Sequence, residues 1–172
     1  WDNIGWNSTL ETLAKSVDAV CFGSLAQRNT VSRQTILNFL KATRTDCLRV
    51  FDINLRQAFY SEHVIVQSLQ LSNILKLNED ELPVVAKLLA LNGNDDELLT
   101  QLMQQFKLKM IALTKGDKGS FLRTKDEKSF MEVPKVKIAD TVGAGDSFTA
   151  VLVAGLLQNH KLKTIHENAT RV

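Results

Sequence analysis

The sequence predicts an α/β protein with a mostly parallel sheet covered by helices on both faces. Short apolar runs rich in β-branched and aromatic residues alternate along the 172 residues with segments whose apolar residues recur at helical spacing. Glycine or polar residues follow these runs directly. Because a parallel connection needs a crossover long enough to hold a helix, the alternation favours parallel strands.

The first half of the chain repeats a helix followed by a strand. Ser8 is a predicted helix cap because Glu11 completes a capping box and apolar residues follow at helical spacing. The next two helices are predicted to run to about Lys41 and about Leu71. Their predicted caps are Asn29 or Thr30, and Ser61. The predicted strands are residues 17–22, LRVFDI and NILKL.

The second half adds a hairpin to this pattern. Pro83 suits the first position of a helix, and Asp95–Phe106 has an apolar stripe with three acidic residues at its start. The strand KMIALT follows. Two short pieces, GSFLRT and SFMEV, are joined by a polar turn and predict an antiparallel hairpin. The last predicted helix starts near Gly143.

Composition limits the function. With 44% hydrophobic and 23% charged residues, the chain predicts one globular α/β domain over residues 1–172. The net charge of +2 is too small to favour nucleic acid as a partner. Apolar runs such as 150–154 are far shorter than a membrane span, and no charged-then-apolar leader precedes them. We therefore expect neither a membrane protein nor a secretory precursor.

The cysteines and histidines suggest no metal site. Cys21 and Cys47 each lie in an apolar stretch and are expected to be reduced core thiols, which is typical of the cytoplasm. His63, His160 and His166 lack the spacing of zinc ligands and are expected to be solvated.

Polar residues follow the predicted strands and are expected to gather along one rim, because ligands of such sheets bind outside the carboxyl ends of the strands. They are Gly23, Ser24, Asp52, Asn54, Arg56, Asn78, Thr114 and Gly116.

The segment DTVGAGDSF at 140–148 stands directly before the last helix. Its glycines allow backbone amides to converge at the positive end of that helix, which is a way to hold an anion. Asp146 would repel a bound phosphate, a cost that is tolerable where it must take a proton from an attacking hydroxyl. The alternative is that Asp146 caps the helix and the glycines only turn the chain. Neither the P-loop motif nor the dinucleotide motif G-x-G-x-x-G is present.

DTVGAGDSF resembles the C-terminal signature of the ribokinase-like (phosphofructokinase B type) sugar kinases. Three further segments resemble that family's motifs in the same order: DINLR from Asp52, NEDE from Asn78 and TKGDKG from Thr114. Lys115 departs from the pattern, since many members carry an apolar residue there. Segments near Trp1 and Gly23 look closest to bacterial fructokinase-type members.

The resemblance implies site roles. Asp146 would be the catalytic base, and the backbone of Gly143, Ala144 and Gly145 would form the anion hole for the transferred phosphoryl group. The residues implied to bind the nucleotide are Thr114, Gly116, Gly119 and Asn168.

Metal and phosphate roles are also implied. Asn78 and Glu81 would organise the water shell of Mg²⁺, with capping of the following turn as the alternative. Arg56 would contact phosphate or substrate, with an ion pair to Asp52 as the alternative. The Asp140 side chain and carbonyls near Val142 would hold K⁺, with a loop-closing Asx turn as the alternative.

The implied activity is ATP-dependent phosphorylation of a sugar, fructose first and ribose second. The chain starts at Trp1 and ends inside a predicted helix, so we expect it to be the C-terminal portion of a longer kinase, without the N-terminal strands and lid. The alternatives are a non-catalytic nucleotide-binding relic or an inactive fragment. A homodimer of the full-length protein is left open, and an incomplete sheet predicts self-association.

Overall fold

Six strands form one sheet in the computed structural model, which describes residues 2–133 and 143–172. The strands lie side by side in chain order, with β1 and β6 at the edges. Their bounds are β1 Ala19–Phe22, β2 Leu48–Asp52, β3 Ile74–Asn78, β4 Met110–Thr114, β5 Ser120–Thr124 and β6 Lys128–Met131. β1 to β4 pair in parallel, and β5 and β6 add an antiparallel hairpin, as predicted.

Helices separate the parallel strands along the chain. Their bounds are α1 Ser8–Ala14, α2 Thr30–Ala42, α3 Glu62–Leu71, α4 Glu81–Leu88, α5 Asp95–Phe106, α6 Ala144–Leu157 and α7 Leu162–Thr170. No helix formed by the described residues is both long and apolar enough to cross a membrane.

Two apolar clusters cover opposite faces of the sheet. On one face, Leu75 and Leu77 of β3 pack with residues of α3, α4 and α5. On the other face, Ile74 of β3 packs with residues of α6 and α7. Side chains of a strand alternate between faces, so both faces of β3 are buried. The predicted arrangement of helices on both faces of a mostly parallel sheet is confirmed.

Local hydrogen bonds explain where the helices begin. Ser61 caps α3 as predicted, and of the two candidates for α2, Asn29 and Thr30, Asn29 is the cap; each cap side chain accepts a backbone N–H. The prediction for Ser8 is wrong, because Asn7 is the cap and its side chain accepts the amide of Leu10. The predicted helix start at Pro83 is wrong, because α4 begins at Glu81, whose amide already donates to the Asn78 side chain at 2.9 Å.

Two predicted environments are wrong. Cys21 is exposed because β1 lies at the edge of the sheet, whereas Cys47 is buried as predicted. His166 is fully buried between α7 and the hairpin rather than solvated. Its Nε2 lies 2.8 Å from the hydroxyl of Ser120, and its Nδ1 lies 2.7 Å from that of Ser129. Burial lowers the pKa of His166 from 6.5 to about 4.

Candidate active site

The first turn of α6 presents backbone amides and one carboxylate. Gly143 is the N-cap, in the left-handed region with φ +80°, and its carbonyl accepts the amide of Ser147 at 2.8 Å. A glycine cap has no side chain with which to accept the amides of the first turn, and such amides lack partners within the helix. Asp146 is the third residue of α6 and is exposed. It is not the helix cap, a position that Gly143 occupies.

An ion pair between buried Lys76 and partly buried Asp52 lies beneath this turn. The register of β2 and β3 places Asp52 opposite Lys76, and Lys76 Nζ lies 3.0 Å from Asp52 Oδ1. Thr149 Oγ1 of α6 lies 2.9 Å from Asp52 Oδ2. A Cβ built on Gly145 would lie 3.0 Å from Lys76 Nζ, so the ammonium sits directly against the helix start. The ends of β2 and β3 therefore contact the start of α6 through charged and polar side chains rather than through apolar packing.

Sequence reasoning missed Lys76. The sequence shows only a lysine within the apolar run NILKLN; the structure shows that this lysine is 7% exposed, and a buried ammonium needs a charged partner. The alternative given for Arg56, an ion pair with Asp52, is wrong, because Asp52 pairs with Lys76. Arg56 is exposed on the loop after β2 and forms no ion pair with another described residue.

Asn78 and Glu81 hold together the ends of neighbouring strands. Asn78 Oδ1 accepts the amides of Asp80 and Glu81, each at 2.9 Å. Glu81 is buried, and its two carboxylate oxygens accept the amides of Leu55 and Asn78, each at 2.8 Å. The bonds of the capping alternative are thus present, and Glu81 additionally fixes the loop after β2 against the end of β3.

The same oxygens limit how a metal could bind. Each Glu81 oxygen already accepts one backbone amide, which leaves lone-pair capacity for a hydrogen bond from a water molecule. The described residues contain no group of three His, Cys, Asp or Glu side chains that could hold a bare ion. Mg²⁺ usually keeps several of its waters when bound to proteins, so the residues present fit a metal held through water.

The nucleotide loop predicted after β4 is a tight turn. The amide of Lys115 donates to the carbonyl of Gly119 at 2.8 Å. Gly119 has φ +104°, and a Cβ there would lie 2.2 Å from the carbonyl oxygen of Met131, so only glycine fits. Lys115 Nζ pairs with Asp95 at 2.5 Å and lies over the ring of Phe121. The departure from the family pattern at Lys115 is therefore accommodated on the α5 side of the loop.

Thr114 and Gly116 lie beside the end of β3. Thr114 is opposite Asn78 in the ladder, and its carbonyl accepts the amide of Glu79 at 2.9 Å. A Cβ on Gly116 would lie 3.9 Å from Glu79 Oε1. The structure thus brings Asn78, Glu81, Thr114 and Gly116 to one rim, as the positions after parallel strands predict.

The remaining predicted site residues lie outside the rim formed by the ends of β3 and β4 or outside the described residues. Asn168 is exposed on α7, two residues before Thr170, whose hydroxyl lies 3.3 Å from that of Ser120 next to the glycine turn. Asp140 and Val142, the predicted monovalent-cation ligands, lie outside the described residues.

Comparison with known proteins gives a consistent picture. A fructokinase of Rhizobium leguminosarum bv. trifolii is 27% identical over 172 aligned residues, which cover 94% of this chain and 51% of that protein. The crystal structure of an uncharacterized sugar kinase from Pyrococcus horikoshii in complex with ATP has a TM-score of 0.76 at 25% identity, covering 92% of this chain and 51% of that one. A protein of Escherichia coli described as a ribokinase II, in complex with ATP and Mg²⁺, has a TM-score of 0.80 at 15% identity, covering 93% and 52%, a likeness of fold alone.

The chain spans about half the length of these relatives. The model of the pfkB family of carbohydrate kinases matches residues 3–172, nearly the whole sequence. The chain therefore belongs to the pfkB family of carbohydrate kinases.

Proposed function

We propose that the chain is the nucleotide-binding and catalytic portion of an ATP-dependent sugar kinase, which transfers the γ-phosphoryl group of ATP to a sugar hydroxyl. The observation that carries the proposal is the first turn of α6, where an exposed carboxylate, Asp146, follows a glycine-capped helix start. The family membership of the chain supports the same assignment.

The helix start suits an anion for a physical reason. The amides of the first turn have no intrahelical acceptor, and the aligned peptide dipoles place a partial positive charge there. Gly143, Ala144 and Gly145 add little side-chain bulk between that charge and a phosphoryl group. Preorganised amides of this kind typically lower a barrier by about 3 kcal/mol per donor, because they stabilise charge that develops in the transition state.

Asp146 would act as the general base. In the proposed step, a bond forms between the sugar hydroxyl oxygen and the γ-phosphorus while the bond from that phosphorus to its bridging oxygen breaks. The hydroxyl proton moves to the Asp146 carboxylate, and ADP leaves with the bridging oxygen. Phosphoryl transfer asks the protein mainly for positioning and charge stabilisation, so one base and an amide pocket are a sufficient set.

The remaining rim residues would bind the nucleotide and its metal. Thr114, Gly116 and Gly119 form the turn after β4, and Asn168 lies on α7, so we assign the nucleotide to this side of the site. Bound Mg²⁺ would neutralise phosphate charge, and Asn78 and Glu81 would orient its waters. K⁺ beside Asp140 and Val142 belongs to the same proposal, at residues outside the described ranges.

The acceptor is proposed as fructose, with ribose second, because a fructokinase is among the relatives. Exposed Arg56 is available to contact a phosphate or an acidic group. Since the chain spans about half the length of its relatives, we propose that turnover requires sugar-binding residues outside residues 1–172. On that view the 172-residue chain alone binds nucleotide without phosphorylating sugar.

Phosphorylation of a sugar panel by a complete polypeptide that carries this chain tests the proposal. ADP release is measured with ATP and with fructose, ribose or no sugar. Asp146→Asn should lower turnover by about 100-fold or more, the range of general-base catalysis. Asp126→Asn, at an exposed position in the hairpin turn, is the matched control and should keep full activity. Equal turnover of the Asp146 variant and the control would refute the role of Asp146, and absence of sugar-dependent ADP release would refute the kinase assignment.

A further inference from the structure

We propose that Asp52, Lys76 and Thr149 form a positioning cluster that fixes the first turn of α6 on the carboxyl end of the sheet. The cluster would thereby set the positions of the anion-hole amides and of Asp146. This inference deepens the proposed function: that the cluster affects nucleotide binding rests on the proposed kinase site at α6. The three side chains are held by their own bonds, which are independent of any ligand.

The sheet side of the cluster follows from strand register. Val50 and Ile74 pack in the core under α6 and α7. Asp52 and Lys76 lie two residues farther along the same strands, so they point to the same face, directly opposite each other in the ladder. Burial of an ammonium and a carboxylate is costly, and the pair at 3.0 Å offsets that cost only where its geometry is maintained.

The helix side of the cluster has two contacts. The Thr149 hydroxyl lies 2.9 Å from Asp52 Oδ2 and 2.9 Å from the carbonyl oxygen of Gly145, so it links the pair to the first turn. Gly145 approaches the Lys76 ammonium so closely that an added Cβ would lie 3.0 Å from Nζ. A side chain at position 145 would therefore displace either the ammonium or the helix.

The charges of the cluster favour binding of an anion at the start of α6. An ammonium beside the positive end of a helix is unfavourable by itself, since cations stabilise the opposite end. Asp52 offsets part of this repulsion, while Lys76 and the first-turn amides together attract negative charge. A phosphoryl group bound at this turn would relieve the repulsion, so the cluster and the anion stabilise each other.

Thr149→Val tests the cluster with little change in volume, and two matched variants accompany it. Thr149→Ser keeps the hydroxyl. Thr100→Val is the control, because the Thr100 hydroxyl donates to the carbonyl of Asp96, four residues earlier, and thus reproduces the helix bond outside the cluster. The measurements are ATP affinity by calorimetry and hydrogen exchange of amides 147–150, both on the complete polypeptide below its unfolding temperature.

The expected effect of Thr149→Val is about tenfold weaker ATP binding and about tenfold faster exchange, the size of one lost hydrogen bond to a charged group. Thr149→Ser should restore both values to within about twofold, and Thr100→Val should change neither. Unchanged exchange, or faster exchange with unchanged ATP affinity, would overturn the proposal.

The double variant Asp52→Asn with Lys76→Met removes both charges together and avoids leaving one of them buried alone. It should also weaken ATP binding by about tenfold or more, and wild-type affinity would overturn the proposal. If the unaltered protein binds no ATP, the proposed function fails. The exchange measurement then still decides whether the cluster holds α6: faster exchange in Thr149→Val supports it, and unchanged exchange overturns it.

Discussion

His166 makes stability depend on pH in a way that can be calculated from the structure. The ring is 0% exposed, and its partners Ser120 and Ser129 carry no charge that could compensate a protonated imidazole. Burial lowers the pKa of His166 to about 4 in the folded protein, from an ordinary 6.5 that applies to the unfolded chain. Between these values the unfolded chain binds a proton that the folded protein does not.

The sign and size of the effect follow from this difference. Above pH 6.5 His166 is neutral in both the folded and the unfolded state, so it does not change the free energy of unfolding. As the pH falls from 6.5 toward 4, the unfolded chain binds a proton and the free energy of unfolding decreases. Each pH unit in that window corresponds to about 1.4 kcal/mol, so the loss at pH 5 is about 2 kcal/mol. Below pH 4 the loss levels off at about 3 kcal/mol, because the folded protein also binds the proton.

Urea unfolding at pH 7 and pH 5 measures this loss. His166→Gln removes the titrating group, so the unaltered protein should lose about 2 kcal/mol more than the variant between the two values. His160→Gln, at an exposed position between α6 and α7, is the control and should keep the full loss. Subtracting the loss measured for His166→Gln from that of the unaltered protein cancels the contribution of carboxylates that titrate in the same range. An equal loss in the unaltered protein and in His166→Gln would refute the reasoning.

Three further predictions concern other parts of the fold. Gly119→Ala should lower the free energy of unfolding by about 3 kcal/mol or more, because of backbone strain and a clash with Met131, whereas Gly5→Ala, in open space, should be neutral in the same denaturation assay. Glu81→Gln should lower the free energy of unfolding by about 1 to 3 kcal/mol in the same assay. The glutamine side chain has only one acceptor oxygen, so its NH₂ group would face one of the two backbone N–H donors; unchanged stability would contradict this. β1 exposes one side of a parallel strand at the edge of the described sheet, so the isolated chain should self-associate in sedimentation, and a monomer at all concentrations would contradict this.

The fold was largely predictable because its signals are local. Apolar periodicity located Asp95–Phe106 at both ends, and the polar turn between GSFLRT and SFMEV located the hairpin. The first residue of a helix was harder to predict where two residues that can cap a helix are adjacent in the sequence. Asn7 rather than Ser8 caps α1, a choice that depends on backbone geometry that neither residue type determines.

The candidate site was predictable only where a motif carried it. The motifs DTVGAGDSF and NEDE singled out Gly143, Asp146, Asn78 and Glu81, and the structure places the first two at the start of α6 and the other two at the junction of β3 and α4. Lys76 and His166 were missed, since their partners come from 24 and 46 residues away in the sequence. A pair formed by strand register is visible only once the register is known.

The ATP affinity and the turnover number of Asp146→Asn, measured on the same preparation, test the central claim most directly. If first-turn amides bind the phosphates and Asp146 only accepts the proton, the variant should bind ATP at least as tightly as the unaltered protein, because a negative charge beside the phosphates has been removed. Its turnover should fall by about 100-fold or more. Loss of ATP binding in parallel with turnover, or full turnover, would contradict the account.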